Sequence, residues 1–227
     1  MRTKGNTNKI RKIVALAMFA ALAYAVHFVH IPVGFLNLDF KDVIVTICGM
    51  YFGPISGIVI AVTVPLLEFI TVSSTGVYGL IMNVLSSVTF VGTASTIYRF
   101  RKTLSGAIIG LVSAVFAMTA VMIAANLLVT PYYMGVSIAE VGALIPTLLL
   151  PFNAIKAILN ASLTLCLYKP VTMALKKTGF SRSTDTQQED KAVNKRYSIL
   201  VWLIGGGVAV VSLIIIFFVL GGSIALF

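Results

Sequence analysis

The sequence predicts an all-α membrane protein: a six-helix transmembrane bundle with a broken second/third hairpin, followed by a seventh, C-terminal transmembrane helix. Three observations predict it. Of the 227 residues, 59% are hydrophobic and only 11% charged, whereas a soluble domain is roughly a quarter charged, so most of this surface faces lipid. Apolar stretches of about 20 residues, the length that a membrane-spanning helix requires, recur along the chain. Within the long apolar stretch from Val43 to Ile70, the dipeptide Gly53–Pro54 is a strong break signal.

The elements follow in order. Residues 1–12 carry Arg2, Lys4, Lys9, Arg11 and Lys12 and form a basic cytoplasmic segment. The first span runs from about Ile13 to Val29. It is long enough to cross and is followed by Pro32 rather than a small-residue cleavage site, which argues against a cleavable signal. The polar turn NLDFKD (37–42) leads into the two arms of the hairpin, of which the first, about Phe40 to Phe52, is too short to cross completely. Further spans run from Gly79 to Tyr98, Leu104 to Val129 and Ile145 to Tyr168.

Charge decides between the hairpin and one long helix. With the hairpin, six spans bring both ends of residues 13–169 to one side. Every basic residue except Lys41 and Lys156 then lies on that side, including the RFRK cluster at 99–102. Without it, RFRK falls outside, against the positive-inside rule. The same rule accounts for the net charge of +10, so no nucleic-acid partner is implied and the lipid bilayer is the expected surrounding. The expected location is a cell membrane, multi-pass, with a cytoplasmic N-terminus. Residues 170–197 read as a polar cytoplasmic linker. Residues 198–227 form the seventh helix, which contains Gly205, Gly206 and Gly207.

Catalytic and metal chemistry find no support. The only histidines, His27 and His30, fall one turn apart at the outer end of the first span, with no carboxylate or cysteine on that helix to complete a metal site. They read as interfacial, structural rings. Asp39, Asp42, Glu68 and Glu140 lie in or near outer loops, and no chain of intramembrane carboxylates suggests a proton relay. Cys48 and Cys166 have no paired spacing and read as buried thiols. No catalytic residue, metal or cofactor is expected. An intramembrane enzyme, the alternative from another class, needs a reactive dyad that the sequence lacks.

Lys156 is the informative residue. Asn153, Lys156, Asn160 and Thr164 share one narrow helix face. A cation at such depth costs at least ~2.5–3.5 kcal/mol and nearly always faces a cavity or a partner. The cytoplasmic end of the span is about 12 residues or ~18 Å away, too far for snorkelling. A salt bridge is one explanation, with Glu68 as its candidate. A polar cavity that opens outward is the favoured one, with Asn83 and Asn126 pointing into it. Their amides suit a heterocycle with alternating N–H and C=O groups. In the first helix, Ala17, Ala21 and Ala25 repeat every four residues, a small-residue stripe that allows close approach of another helix or tight packing within the bundle.

These features resemble the S components of energy-coupling factor (ECF) transporters, specifically the riboflavin-binding type. The resemblance covers about residues 13–170. It is carried by the alanine stripe, the loop FLNLDFKDV (35–43), FGPISG (52–57), GVYGLIMN (76–83), NLLVTPYYMG (126–135), and PFNAIK followed by LYKP. It implies a six-helix, non-enzymatic subunit that captures a vitamin at the outer face and works with a transmembrane coupling protein and two cytoplasmic ATPases. The substrate-binding positions it implies are Phe35, Leu38, Phe40, Asn83, Asn126, Asn153 and Lys156, and the partner interface is Ala17, Ala21 and Ala25. Riboflavin is the expected substrate; within the same class, FMN, another vitamin or a nucleobase-like compound is the alternative. The seventh segment lies outside the six-helix pattern, so its deletion is expected to leave binding largely intact.

Overall fold

The structure is a computed structural model that describes the backbone of residues 3–72, 75–177, 195–218 and 225–226, and the statements below concern those residues. The first helix, α1 (Thr3–His27), is followed by an antiparallel hairpin of β1 (Val29–Val33) and β2 (Leu36–Asp39). Then come α2 (Lys41–Phe52), α3 (Pro54–Thr71), α4 (Gly76–Phe100), α5 (Leu104–Met134) and α6 (Ile138–Leu144). A π-helical turn, Ile145–Leu149, joins α6 to α7 (Leu150–Lys177), and α8 (Lys195–Phe218) and a short β3 (Ala225–Leu226) end the described chain. Five helices are long and apolar enough to cross a membrane. Large apolar side chains such as Ile55, Ile70, Phe116 and Leu203 are exposed on their outer faces, where lipid is the only solvent that tolerates them. The protein is a multi-pass membrane protein.

The expected hairpin is present. Pro54, which has no N–H to satisfy, stands in the first turn of α3, and Gly53 before it adopts φ 102°. Gly49 and Gly57 serve the same turn: a Cβ on Gly57 would lie 2.7 Å from the Gly49 Cα, so the two arms touch backbone to backbone. With 12 residues, α2 rises only about 18 Å, short of a hydrocarbon core of about 30 Å.

Three expectations are corrected. The outer loop is not irregular: VHIPV and LNLD alternate with period two and pair His30↔Asp39, Ile31↔Leu38, Pro32↔Asn37 and Val33↔Leu36. The two-residue turn between them has Gly34 at φ 61°, the positive φ that tight hairpins require. A small sheet of order β2-β1-β3 therefore caps an otherwise helical bundle. The sixth span begins earlier, in α6, and passes through the π turn at Pro146, whose missing N–H interrupts the regular ladder. It also ends later, because α7 continues through Pro170 to Lys177. Residues 170–177 and 195–197 of the expected linker are thus helical, and 178–194 lie outside the described residues.

Packing fixes the hairpin end of the bundle. Phe19 and Ala23 of α1 meet Ile47 of α2, Ala61 and Val64 of α3 and Val91 of α4. Phe90 and Ala94 of α4 interlock with Ala114 and Met118 of α5 and Ala157 of α7. Chain direction alternates, so the end of α1, the hairpin, the starts of α2, α4 and α7, and the ends of α3 and α5 converge at one end.

Candidate binding cavity

At that convergence lies a cavity of about 450 Å³, within the usual range of ~300–1,000 Å³ for small-molecule sites. Asn83 of α4, Asn126 of α5, and Asn153 and Lys156 of α7 all line it. Spacing explains the last pair: positions three apart on one helix face the same way. Phe35 at the hairpin turn also lines it.

Leu38 and Phe40 are placed differently. In a strand, successive side chains point to opposite faces. Asn37 and Asp39 face the cavity, whereas Leu38 is buried on the other side among Ile31, Val33, Phe152 and Leu159. Phe40 packs against that same back cluster. Leu38 and Phe40 therefore support the wall from behind rather than lining it. Asn160, one turn below Lys156, is buried outside the lining with neither amide atom bonded, and Thr164 Oγ1 donates back to the Asn160 carbonyl at 2.7 Å.

Lys156 has the partner that sequence reading assigned to Glu68, but it is a different residue. Lys156 Nζ donates to Asp39 Oδ2 at 3.1 Å. Glu68 instead accepts from Lys41 Nζ at 2.5 Å, and Lys41 lies 3.8 Å from Asp39. His27 Nδ1 is 3.2 Å from the other Glu68 oxygen. An alternating chain of charge thus runs Lys156–Asp39–Lys41–Glu68 and ties α7, β2, α2 and α3 together, with the His27 ring of α1 beside its end. Lys41, which the sequence places in an outer turn, is 1% exposed. Such burial is tolerated because each charge has an opposite neighbour. Burial alone would raise the Asp39 carboxyl, but Lys156 and then Lys41 outweigh it and hold it well below the ordinary carboxylate range. Because the folded-state value is depressed, the stability from this pair is present above the unfolded carboxylate range and is lost only as pH falls through the folded one. Asp39 is therefore ionised at neutral pH, and the Lys156 link persists with it.

The polar groups retain capacity. Asn126 Nδ2 donates to the Met122 carbonyl at 2.7 Å, and Asn153 Nδ2 to the Leu149 carbonyl at 2.7 Å. Each amide has a second hydrogen for another acceptor. Thr130 Oγ1 donates to Asn126 Oδ1 at 2.9 Å and fixes that amide's orientation. Ser86 Oγ lines the cavity, buried and without a protein partner, as is Asp39 Oδ1. Buried polar atoms are rarely left unpaired, so these two mark positions for a ligand or water. Around them stand Phe28, Phe69, Tyr78, Met122 and Tyr133, an apolar and aromatic wall with a few convergent polar groups.

Sequence reasoning missed His27, His30, Asp39 and Ser86 as lining residues. Both histidines line the cavity with their rings stacked at 6.2 Å, and among the described residues no group of three or more ligand-type side chains could hold a metal. The signals for Asp39 and Ser86 were present. Asp39 is two residues from Asn37 on a strand, and Ser86 is three residues from Asn83 on a helix.

Residues 11–168 match the family model described as "ECF transporter, substrate-specific component". The chain belongs to this family. The S component is 30% identical over 186 residues to the riboflavin transporter RibU of Staphylococcus aureus (strain TCH60), covering 78% of this chain and 98% of that protein. It is 26% identical over 163 residues to the riboflavin transporter FmnP of Bacillus subtilis (strain 168), covering 66% and 86%. A solved S component of a bacterial ECF transporter superposes with a TM-score of 0.64 at 29% identity, over 74% of this chain and 99% of the other. The helical membrane bundle expected from the sequence is shared with the solved S component, and the membrane subunit is a transport component.

Alanines 17, 21 and 25 are all exposed, whereas Ala15, Phe19 and Ala23 of the same helix turn into the bundle. Packing within the bundle therefore does not use the stripe.

Proposed function

We propose that this S component binds riboflavin in the cavity at the outer face and passes it to an ATP-driven module. That module consists of a transmembrane coupling protein, which docks on the Ala17, Ala21 and Ala25 face, and two cytoplasmic ATPases. One observation carries the ligand assignment: three asparagine amides and an ammonium converge on an aromatic-walled cavity. A flavin offers a flat apolar ring for those walls. It also offers a pyrimidine edge of alternating N–H and C=O groups for the amides and Lys156, and hydroxyls for polar atoms such as Ser86 Oγ. The two named relatives, both riboflavin transporters, support this reading.

Titration of purified protein with riboflavin is expected to quench flavin fluorescence to a one-to-one endpoint at micromolar ligand or below. If quenching is absent while another vitamin binds, the substrate assignment is wrong although the family stands. Riboflavin reaches the cavity only if the hairpin end faces outward in the plasma membrane, with the N-terminus cytoplasmic. Single cysteines introduced in the RFRK segment (99–102) should accordingly be protected from an impermeant maleimide in intact cells, and cysteines at 75–78 should react. The reverse pattern would overturn the orientation.

A further inference from the structure

The α8 helix lies beyond the family match, which ends at residue 168, and contributes no residue to the cavity lining. Its packing is nevertheless specific. Gly205, Ala209, Ser212 and Ile216 are buried, spaced four, three and four apart, whereas Leu203, Val210, Val211, Ile214 and Phe218 are exposed. One stripe of α8 thus docks on the bundle and the rest faces lipid. The seam is close: a Cβ on Gly205 would lie 2.7 Å from Cys166 Sγ and 3.4 Å from the Ser162 carbonyl oxygen of α7. Small residues permit such an approach in lipid, where dispersion rather than water exclusion holds helices together.

What α8 docks on matters more. Ala209 and Ile216 share one buried cluster with Ile31 and Val33 of β1, Leu38 of β2, and Phe152 and Leu159 of α7. Those strand residues form the back of the hairpin whose front presents His30, Asn37 and Asp39 to the cavity. Beyond α8, β3 pairs with β1 along the edge opposite β2, Val29↔Leu226 and His30↔Ala225. Behind the hairpin, α8 seated on α7 thus completes the apolar cluster on which the hairpin rests, and β3 pairs along its free edge.

We infer that α8 positions the binding site: through Ala209 and Ile216 it braces the β1–β2 hairpin, keeps Asp39 against Lys156, and so slows release of the bound ligand. Because the hairpin is thin, a loss of packing at its back reaches its front through a single layer of backbone. The proposal rests on the riboflavin reading for its ligand but not for its mechanics. It revises the expectation that residues 198–227 are dispensable for binding.

The test uses the whole chain in lipid nanodiscs. Ile216→Ala removes packing behind the hairpin, and Gly205→Leu forces α8 away from α7. Each is expected to release riboflavin roughly tenfold faster, since packing losses act mainly on dissociation. Ile216→Leu should restore the parent rate within about twofold, and the lipid-facing Ile214→Ala should equal the parent. Hydrogen exchange of backbone amides 29–39 provides a readout without ligand: protection there should fall in Ile216→Ala while that of α4 and α5 is retained. If release and exchange both match the parent, or if Ile214→Ala accelerates release equally, the brace is refuted. A uniform loss of protection across the bundle with unchanged release also refutes it, because α8 would then act on global stability alone. If the parent itself binds no riboflavin but the hairpin still loses protection, the brace stands and the ligand assignment fails.

Discussion

Lys156→Met is expected to weaken riboflavin binding by about 1.5–3 kcal/mol, the range for a hydrogen bond to a charged group, or about 10- to 150-fold in affinity. Methionine keeps the length and apolar bulk but removes the charge and all three donors. From the sequence alone this variant should insert at least as well as the parent, since the cost of the cation disappears. The pairing with Asp39 adds a second effect. Removing one partner of a buried pair leaves the other uncompensated, at about 3–5 kcal/mol where nothing else is near. Here Lys41 remains 3.8 Å from Asp39, so the loss of stability should fall below that range. Asp39→Asn should likewise lower the unfolding temperature. The double variant, with neither charge, should recover stability but not affinity, because the donors to the ligand are still missing. Asn153→Leu should weaken binding less, a neutral bond being worth about half as much. Fluorescence titration and thermal unfolding in one detergent measure both quantities. If the double variant regains affinity together with stability, Lys156 acts only as half of a structural pair, and the binding site must be assigned without it.

Where local rules decide an element, the sequence made it legible. The Gly53–Pro54 break and the order of the apolar helices depend on backbone chemistry and on hydropathy. The convergence of Asn83, Asn126, Asn153 and Lys156 followed from helix periodicity combined with the cost of a buried cation. The loop residues were harder. Phe35, Leu38 and Phe40 of FLNLDFKDV look suited to a flavin ring, but β pairing turns Leu38 to the back of the hairpin, and Phe40 packs behind it as well. The alternation VHIPV–GF–LNLD was visible and, read as strands, would have exchanged Leu38 for Asp39. The ion pairing was not legible, because which carboxylate reaches Lys156 depends on how deeply the hairpin folds into the bundle. That depth is set by contacts between Ile31, Val33, Leu38 and the α7–α8 seam, which link residues more than a hundred positions apart. The role of α8 was hidden for the same reason: its triple glycine suggests close packing but does not name the neighbour.

Ala17→Trp and Ala21→Trp are expected to separate binding from transport. Both alanines lie on the exposed face of α1, and neither lines the cavity. An indole there enlarges the outer surface without touching the residues that would hold flavin, so affinity should stay within about twofold of the parent. In lipid, by contrast, helices associate through close backbone approach and lose it when a small residue at the seam becomes large. A coupling protein docked on this stripe would be displaced by several ångströms. ATP-dependent riboflavin uptake should then fall at least about tenfold, a loss of about 1.4 kcal/mol or more in association, and the coupling protein should no longer co-purify. Ala23→Trp is the informative contrast: Ala23 is 0% exposed within the bundle, so its replacement should overpack the core and lower stability and binding together. The stripe is thus tested against its own helix. Uptake and co-purification at parent levels in both exposed-face variants would move the docking surface to another helix, whereas loss of flavin binding in either would show that α1 reaches the cavity from outside.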